Sequence, residues 1–176
     1  MAKIEIPYTQ HLDVTFERMN SGGILLMTRD RSGRANPMTV GWGTVGVVWG
    51  RHVFCVLVRP SRYSFECLEA NPDFTVNVQP ADRADIVEYC GTHSGRRVDK
   101  CKELGLSVIP SKLVKTPIIE ECNLHYECKV IHKNDILLDH LHPPIIDEYY
   151  PKRDNHRVYF GEILRALKDE RMVGAD

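Results

Sequence analysis

The longest uninterrupted apolar run in this chain, Val53-Phe-Cys-Val-Leu-Val58, is six residues long and stops at Arg59-Pro60. A membrane-spanning helix needs about 20 apolar residues. A run this short between breakers reads as a buried strand. The same reasoning gives strands at Gly23–Thr28 after a Ser-Gly-Gly turn, at Met38–Trp42, at Val45–Trp49, and through the alternating Phe74, Val76 and Val78. Asp30–Pro37 is rich in breakers and reads as a turn or loop. Leu124, Tyr126, Cys128 and Val130 alternate with His125, Glu127 and Lys129, the pattern of a strand with one face in water. Val158–Leu164 is the last strand. Only brief helical patterns lie between: Arg62–Ala70, with Ser61 as N-cap and Asn71-Pro72 as stop; Asp82 to about Tyr89; and Val98–Leu104, ended by Gly105. A doubly wound sheet would need longer helices between its strands. The expected class is therefore mainly β with short helices, a small barrel with helical insertions.

Charge and cysteine use narrow the setting. The 176 residues form a single domain, 1–176, with no internal repeat or linker. With 23 basic and 24 acidic residues the net charge is -1, so no basic excess attracts nucleic acid or an anionic membrane, and neither partner is expected. Lys3, Glu5, Asp13, Glu17 and Arg18 interrupt the stretch where a secretory signal would be apolar. The expectation is a cytoplasmic protein. The six cysteines, at 55, 67, 90, 101, 122 and 128, contain no CxxC pair and read as reduced, small apolar residues. Cys122, His125 and Cys128 come nearest to a metal set. Strand alternation places 122 and 128 on one face and 125 on the other, so no metal is expected.

Three stretches carry content that packing alone does not demand. Asn36-Pro-Met-Thr-Val-Gly-Trp-Gly-Thr-Val-Gly-Val-Val-Trp-Gly50 interrupts strands with glycines and contains both tryptophans. Glycine inside a strand marks a bulge or a close backbone approach. The stretch is either a platform for a flat aromatic ligand or a bulged strand with core tryptophans. Arg59-Pro-Ser-Arg-Tyr-Ser64 joins a strand end to a helix start, where free N–H groups, hydroxyls and two arginines suit an anion. The alternative is an ordinary capped helix with solvated arginines. Cys90-Gly-Thr-His-Ser-Gly-Arg-Arg-Val-Asp-Lys100 clusters glycines, hydroxyls and cations in a turn, but is neither a Walker loop nor a GxGxxG fingerprint. Cys90 is either a thiol of lowered pKa beside this turn or a buried structural one. No G-x-S-x-G elbow or catalytic dyad is present, and no catalytic residue is assigned.

In this order, NPMTVGWGTVGVVWGRHVFCVLVRPSRYSFECLEANPDFTVN and EYCGTHSGRRVDKCKELGL resemble the flavin reductase-like family, in particular its flavoredoxin branch. The resemblance is strongest over residues 20–135 and continues through KTPIIEECNLHYECKVIHKNDIL to the strand at 158–163. It implies an FMN-binding split β-barrel, and a homodimer with flavin at or near the subunit interface. It implies that Asn36, Met38, Thr39, Val40, Gly41 and Trp42 lie along the isoalloxazine and ribityl chain. Arg59, Ser61, Arg62 and Tyr63 match the segment that takes the FMN phosphate. Cys90, Gly91, Thr92, Ser94, Gly95 and Lys100 match the second wall of that pocket. Residues 139–157 depart from the family pattern and read as a loop, a lid or interface segment.

The implied function is an FMN-binding oxidoreductase, an NAD(P)H-dependent flavin reductase passing electrons through bound FMN. The alternative is a flavoredoxin-type electron carrier between redox proteins. The electron donor is thus NAD(P)H or a redox protein. Hydride chemistry belongs to the flavin, which agrees with the lack of a catalytic dyad.

Overall fold

The computed structural model describes residues 2–172. In chain order it contains β1 (Lys3–Ile6), α1 (Leu12–Asn20), β2 (Ile24–Arg29), β3 (Ala35–Val40), β4 (Gly43–Val48), β5 (Arg51–Val58), α2 (Tyr63–Ala70), β6 (Asp73–Val78), α3 (Ala84–Thr92), α4 (Lys100–Glu103), β7 (Val108–Ile109), β8 (Ile118–Ile119), β9 (Leu124–Asp135), α5 (Pro143–Tyr149) and β10 (Arg157–Asp169), with a 3-10 turn at Leu138–His140. The two long strands, β9 and β10, form an antiparallel spine with two register shifts. The first half of β10 also takes β5, and its second half takes β1. The main sheet runs β3-β2-β6-β9-β10-β5-β4.

β3 and β4 stand at opposite ends of that order, yet only Gly41 and Trp42 separate them in sequence. So short a link spans about 11 Å at most. The two ends of the sheet must therefore meet. They meet without a ladder, because among the described residues β3 is hydrogen-bonded only to β2 and β4 only to β5. The sheet is a barrel split along this seam. Pro37 sits inside β3, which an edge strand tolerates because one side needs no donor. The expectation of a breaker loop through Pro37 therefore fails from Ala35 onward.

β2 is a continuous apolar run because both of its faces are covered. Ile24 and Leu26 enter the barrel core with Phe54, Phe74, Tyr126 and Tyr159. Leu25 and Met27 face outward into a second cluster with Ile86, Val87, Cys90 and Ile119. The same covering corrects the reading of β9 as half wet. His125 and Glu127, on its outer face, are fully buried. His125 Nδ1 lies 2.9 Å from Asn77 Oδ1. Glu127 accepts the N–H groups of Lys112 and Leu113 and an ion pair from Arg165. Cys122 lies before the strand and packs in the outer cluster, whereas Cys128 points into the barrel, so the two do not share a face. All six thiols are free and buried.

Several local readings shift. β1 and α1 form where the sequence pattern assigns nothing; α1 begins at a left-handed His11 without a side-chain cap, and it buries Thr15 and Met19. α2 starts one residue later than expected, and Ser61 does not cap it. α3 likewise has no side-chain cap and continues through Gly91 and Thr92, where a break was expected. Thr92 Oγ1 donates back to the Glu88 carbonyl, so its hydroxyl is satisfied within the helix. Residues 139–157 are not all loop: Pro143 and Pro144 open α5, the position where a missing N–H costs nothing. The tryptophans are not core residues, with Trp42 41% and Trp49 66% exposed.

Gly161 lies at a register shift of the spine, directly beneath Phe74. A Cβ there would stand 2.3 Å from Phe74 Cζ and 2.9 Å from Cys128 Cβ. Gly161→Ala is expected to lower stability by about 1–3 kcal/mol through overpacking. Gly46→Ala, with nothing within 4 Å, serves as the control. Urea midpoints of the two variants against wild type measure the difference; equal midpoints would show that Phe74 yields freely.

Candidate functional site

Two adjoining cavities open at the seam, and Met38 and Arg62 line both. The larger, about 300 Å³, is floored by Asn36 and Met38 of β3. One wall is the entry to α2, with Ser61, Arg62 and Tyr63. The other is the end of α3 and the turn into α4, with Cys90, Gly91, Thr92, Ser94, Gly95 and Lys100. The smaller, about 190 Å³, is lined by Met38, Thr39, Val40, Gly41, Trp42, Arg59 and Arg62. Every residue that the resemblance assigned to the cofactor therefore lines one of these two cavities. Ser64, His93, Arg96 and Arg97 complete the first cavity, and Leu57 and His156 the second. The basic turn already signalled Arg96 and Arg97. Nothing local signalled His156, which arrives from the segment between β9 and β10. Trp49 lines neither cavity; it sits at the β4–β5 turn against His132 and Phe160.

Lys100 is 3% exposed, and its ammonium donates to the Cys90 carbonyl at 3.1 Å. It has no carboxylate partner among the described residues. Burial pulls its pKa below the usual range, and Arg62 adds repulsion. A buried cation with one neutral acceptor is undercompensated, which is the condition that favours an incoming anion. The Arg62 guanidinium likewise donates no hydrogen bond among the described residues. Arg96, by contrast, is held by Glu66 and by the Ser61 carbonyl at 3.0 Å. The Cys90 thiol is buried and pushed up to about 11, so its structural reading holds.

The floor is tightly built. Asn36 Nδ2 donates to Thr28 Oγ1 at 3.1 Å and to Ser64 Oγ at 2.9 Å. Its Oδ1 is buried without a hydrogen-bond partner among the described residues. Gly95 presses on that oxygen, where a Cβ would stand 2.0 Å away. Thr39 Oγ1 donates to the Val87 carbonyl, tying β3 to α3.

The smaller cavity ends in aromatic rings. Trp42 meets Tyr149 edge-on at 4.9 Å and His156 at 5.2 Å. His156 Nδ1 lies 2.8 Å from the Tyr150 hydroxyl. Arg59 and Ser61 are engaged with residues 149–154: Arg59 donates to the Tyr149 and Asp154 carbonyls, and Ser61 Oγ to the Asp154 carboxylate.

Residues 16–173 match the family model described as the flavin reductase like domain. A protein of Archaeoglobus fulgidus, described only as uncharacterized, is 32% identical over 133 residues, which are 76% of this chain and 65% of that relative. The chain thus spans less than two thirds of that relative's length. Among solved structures, the flavoredoxin from Methanosarcina acetivorans superposes with a TM-score of 0.69 at 26% identity, over 99% of this chain and 79% of the other. The flavoredoxin of Desulfovibrio vulgaris (Miyazaki F) gives 0.70 at 24% identity, over 88% and 73%.

Burial, with the charge of Arg59 beside it, holds the His156 pKa down to about 4, against about 6.5 when unfolded. As pH falls through about 6.5, the unfolded chain takes up this proton first, so stability is full above about 6.5 and declines toward 4. His156→Gln is expected to lose less stability than wild type between pH 7 and pH about 4.5. Urea titrations at the two pH values measure it; an identical loss in both proteins would contradict the shift.

Proposed function

The chain belongs to the flavin reductase-like family, and from that premise we propose that it holds FMN at the barrel seam and acts as an NAD(P)H:flavin oxidoreductase, passing electrons through the bound flavin. The observation that carries the proposal is Lys100, a buried ammonium without a counter-charge among the described residues, set in a groove that also holds Arg62. The residues present fit a phosphorylated flavin. Lys100 and Arg62 would take the phosphate, and the first N–H groups of α2, which have no side-chain cap, would assist them. The free edge of β3 offers backbone donors and acceptors to a polar ring edge. Met38, Val40, Leu57 and Trp42 offer apolar surface to the ring faces.

Bound flavin supplies the hydride and electron-transfer chemistry itself. The chain's part is to bind, orient and limit access, and no general acid or base is required of it. A second reading, a flavoredoxin-type electron carrier between redox proteins, is favoured by the likeness to the Methanosarcina acetivorans flavoredoxin. We further infer a homodimer. β4 is an edge strand with Val47 63% exposed beside Trp49, a surface that pairing would cover. No helix among the described residues is long and apolar enough to cross a membrane, and a cytoplasmic setting is part of the same proposal.

The purified protein is expected to be yellow and to keep about one flavin per chain through gel filtration, as a site with charge-assisted phosphate contacts should. Anaerobic stopped-flow at the visible flavin band separates the two readings. Bleaching by NADH or NADPH within seconds supports the reductase. No bleaching by either, with rapid bleaching by a reduced low-potential carrier protein, would replace it by the electron carrier.

A further inference from the structure

Between β9 and β10 the chain leaves the sheet and returns to it. The excursion is pinched at its base, where the Ile136 N–H donates to the His156 carbonyl at 3.0 Å and Arg157 pairs with Asp135 at 2.6 Å. α5, which it carries, buries none of its residues. Leu137 is 52%, Ile145 42% and Tyr149 39% exposed, Leu138, Leu141 and Ile146 are half-buried, and Tyr150 and His156 are the buried residues of the segment. Packing holds the segment at those residues, and directed polar bonds fasten it to the exit of β5.

Those bonds converge on one cation. Arg59, at the exit of β5, donates from Nη1 to the Asp154 carbonyl at 2.6 Å and from Nη2 to the Tyr149 carbonyl at 2.9 Å. Its guanidinium also lies over the Tyr150 ring, 5.1 Å from the centroid. Ser61 adds a single bond to the Asp154 carboxylate at 2.5 Å. Arg59 lines the smaller seam cavity, and the segment it holds sets Tyr149 against Trp42 and His156 into the cavity wall. The arginine that sequence places in a phosphate-binding segment is thus occupied in fastening this excursion.

We propose that residues 137–156 form a gate over the Trp42 end of the seam cavity, and that Arg59 is its latch. The gate is shut while Arg59 holds the Tyr149 and Asp154 carbonyls, and it opens as a unit about the Ile136–His156 pinch when they are released. Its consequence, control of what reaches a bound ring, rests on the flavin reading above. The gate itself does not, and its test is made on flavin-free protein.

Hydrogen–deuterium exchange of the full chain reads the gate directly. Arg59→Ala is expected to raise exchange of the α5 amides about tenfold or more, the loss of two bonds to a charged donor, while β9 and β10 amides keep their wild-type rates. Tryptic cleavage after the exposed Lys152 and Arg153 should quicken in parallel. Arg59→Lys, which keeps the charge but not the fork, should fall between. Ser61→Ala should change α5 exchange by less than about threefold. Unchanged α5 exchange in Arg59→Ala overturns the proposal. So does loosening of β9 and β10 alongside α5, which would make Arg59 a residue of the fold, and so does an equal effect of Ser61→Ala, which would remove Arg59 as the latch. FMN binding measured on the same samples reports the flavin reading separately.

Discussion

A two-residue link, Gly41-Trp42, joins the first and last strands of the main sheet, and most of the molecule follows from that restraint. It curls the sheet until its ends meet, and it keeps them from pairing. The unpaired edge of β3 admits Pro37 and leaves backbone groups free. α3 and the turn into α4 lie along β3 on one side, and the entry to α2 and the exit of β5 lie on the other. The groove between them is what remains of the barrel wall at its split. Site residues distant in sequence, from Asn36 to His156, meet there because the seam is the one place the sheet cannot close.

Within that groove the electrostatics are unbalanced. Several cations of the chain are neutralised by carboxylates: Arg34 by Asp30, Arg96 by Glu66, Arg157 by Asp135 and Glu69, Arg165 by Glu5 and Glu127. Lys100 is buried and, among the described residues, has only a carbonyl. Desolvating an ammonium without a counter-charge costs stability, and a phosphate oxygen would offset that cost. The neighbouring pieces, Asn36 fixed beneath Gly95 and Thr39 tied to α3, hold the floor rigid around it. Flavin reductase-like membership gives this imbalance a chemical reading.

Much of the strand order was legible in sequence because breakers bracket it: Arg59-Pro60 ends β5, Asn71-Pro72 separates α2 from β6, and the Gly22-Gly23 turn precedes β2. Most residues lining the two seam cavities were legible as well, because three compact motifs carry them. What escaped did so for tertiary reasons. His125 and Glu127 look like a wet strand face, but a segment from elsewhere in the chain covers them and its backbone N–H groups satisfy the carboxylate. Gly91 looks like a break, yet α3 continues through it to Thr92, packed against Thr39 of β3. His156 and the fastening role of Arg59 depend on a contact across some ninety residues, which no local pattern encodes.

The contribution of the phosphate is the most direct test of the account. Isothermal titration of flavin-free protein with FMN and with riboflavin isolates it, since the two ligands differ only in that group. The account predicts that FMN binds about tenfold to a hundredfold more tightly, the scale of charge-assisted bonds to a phosphate, and that Lys100→Met removes most of the preference. Equal affinity for the two flavins in the wild-type protein would contradict it.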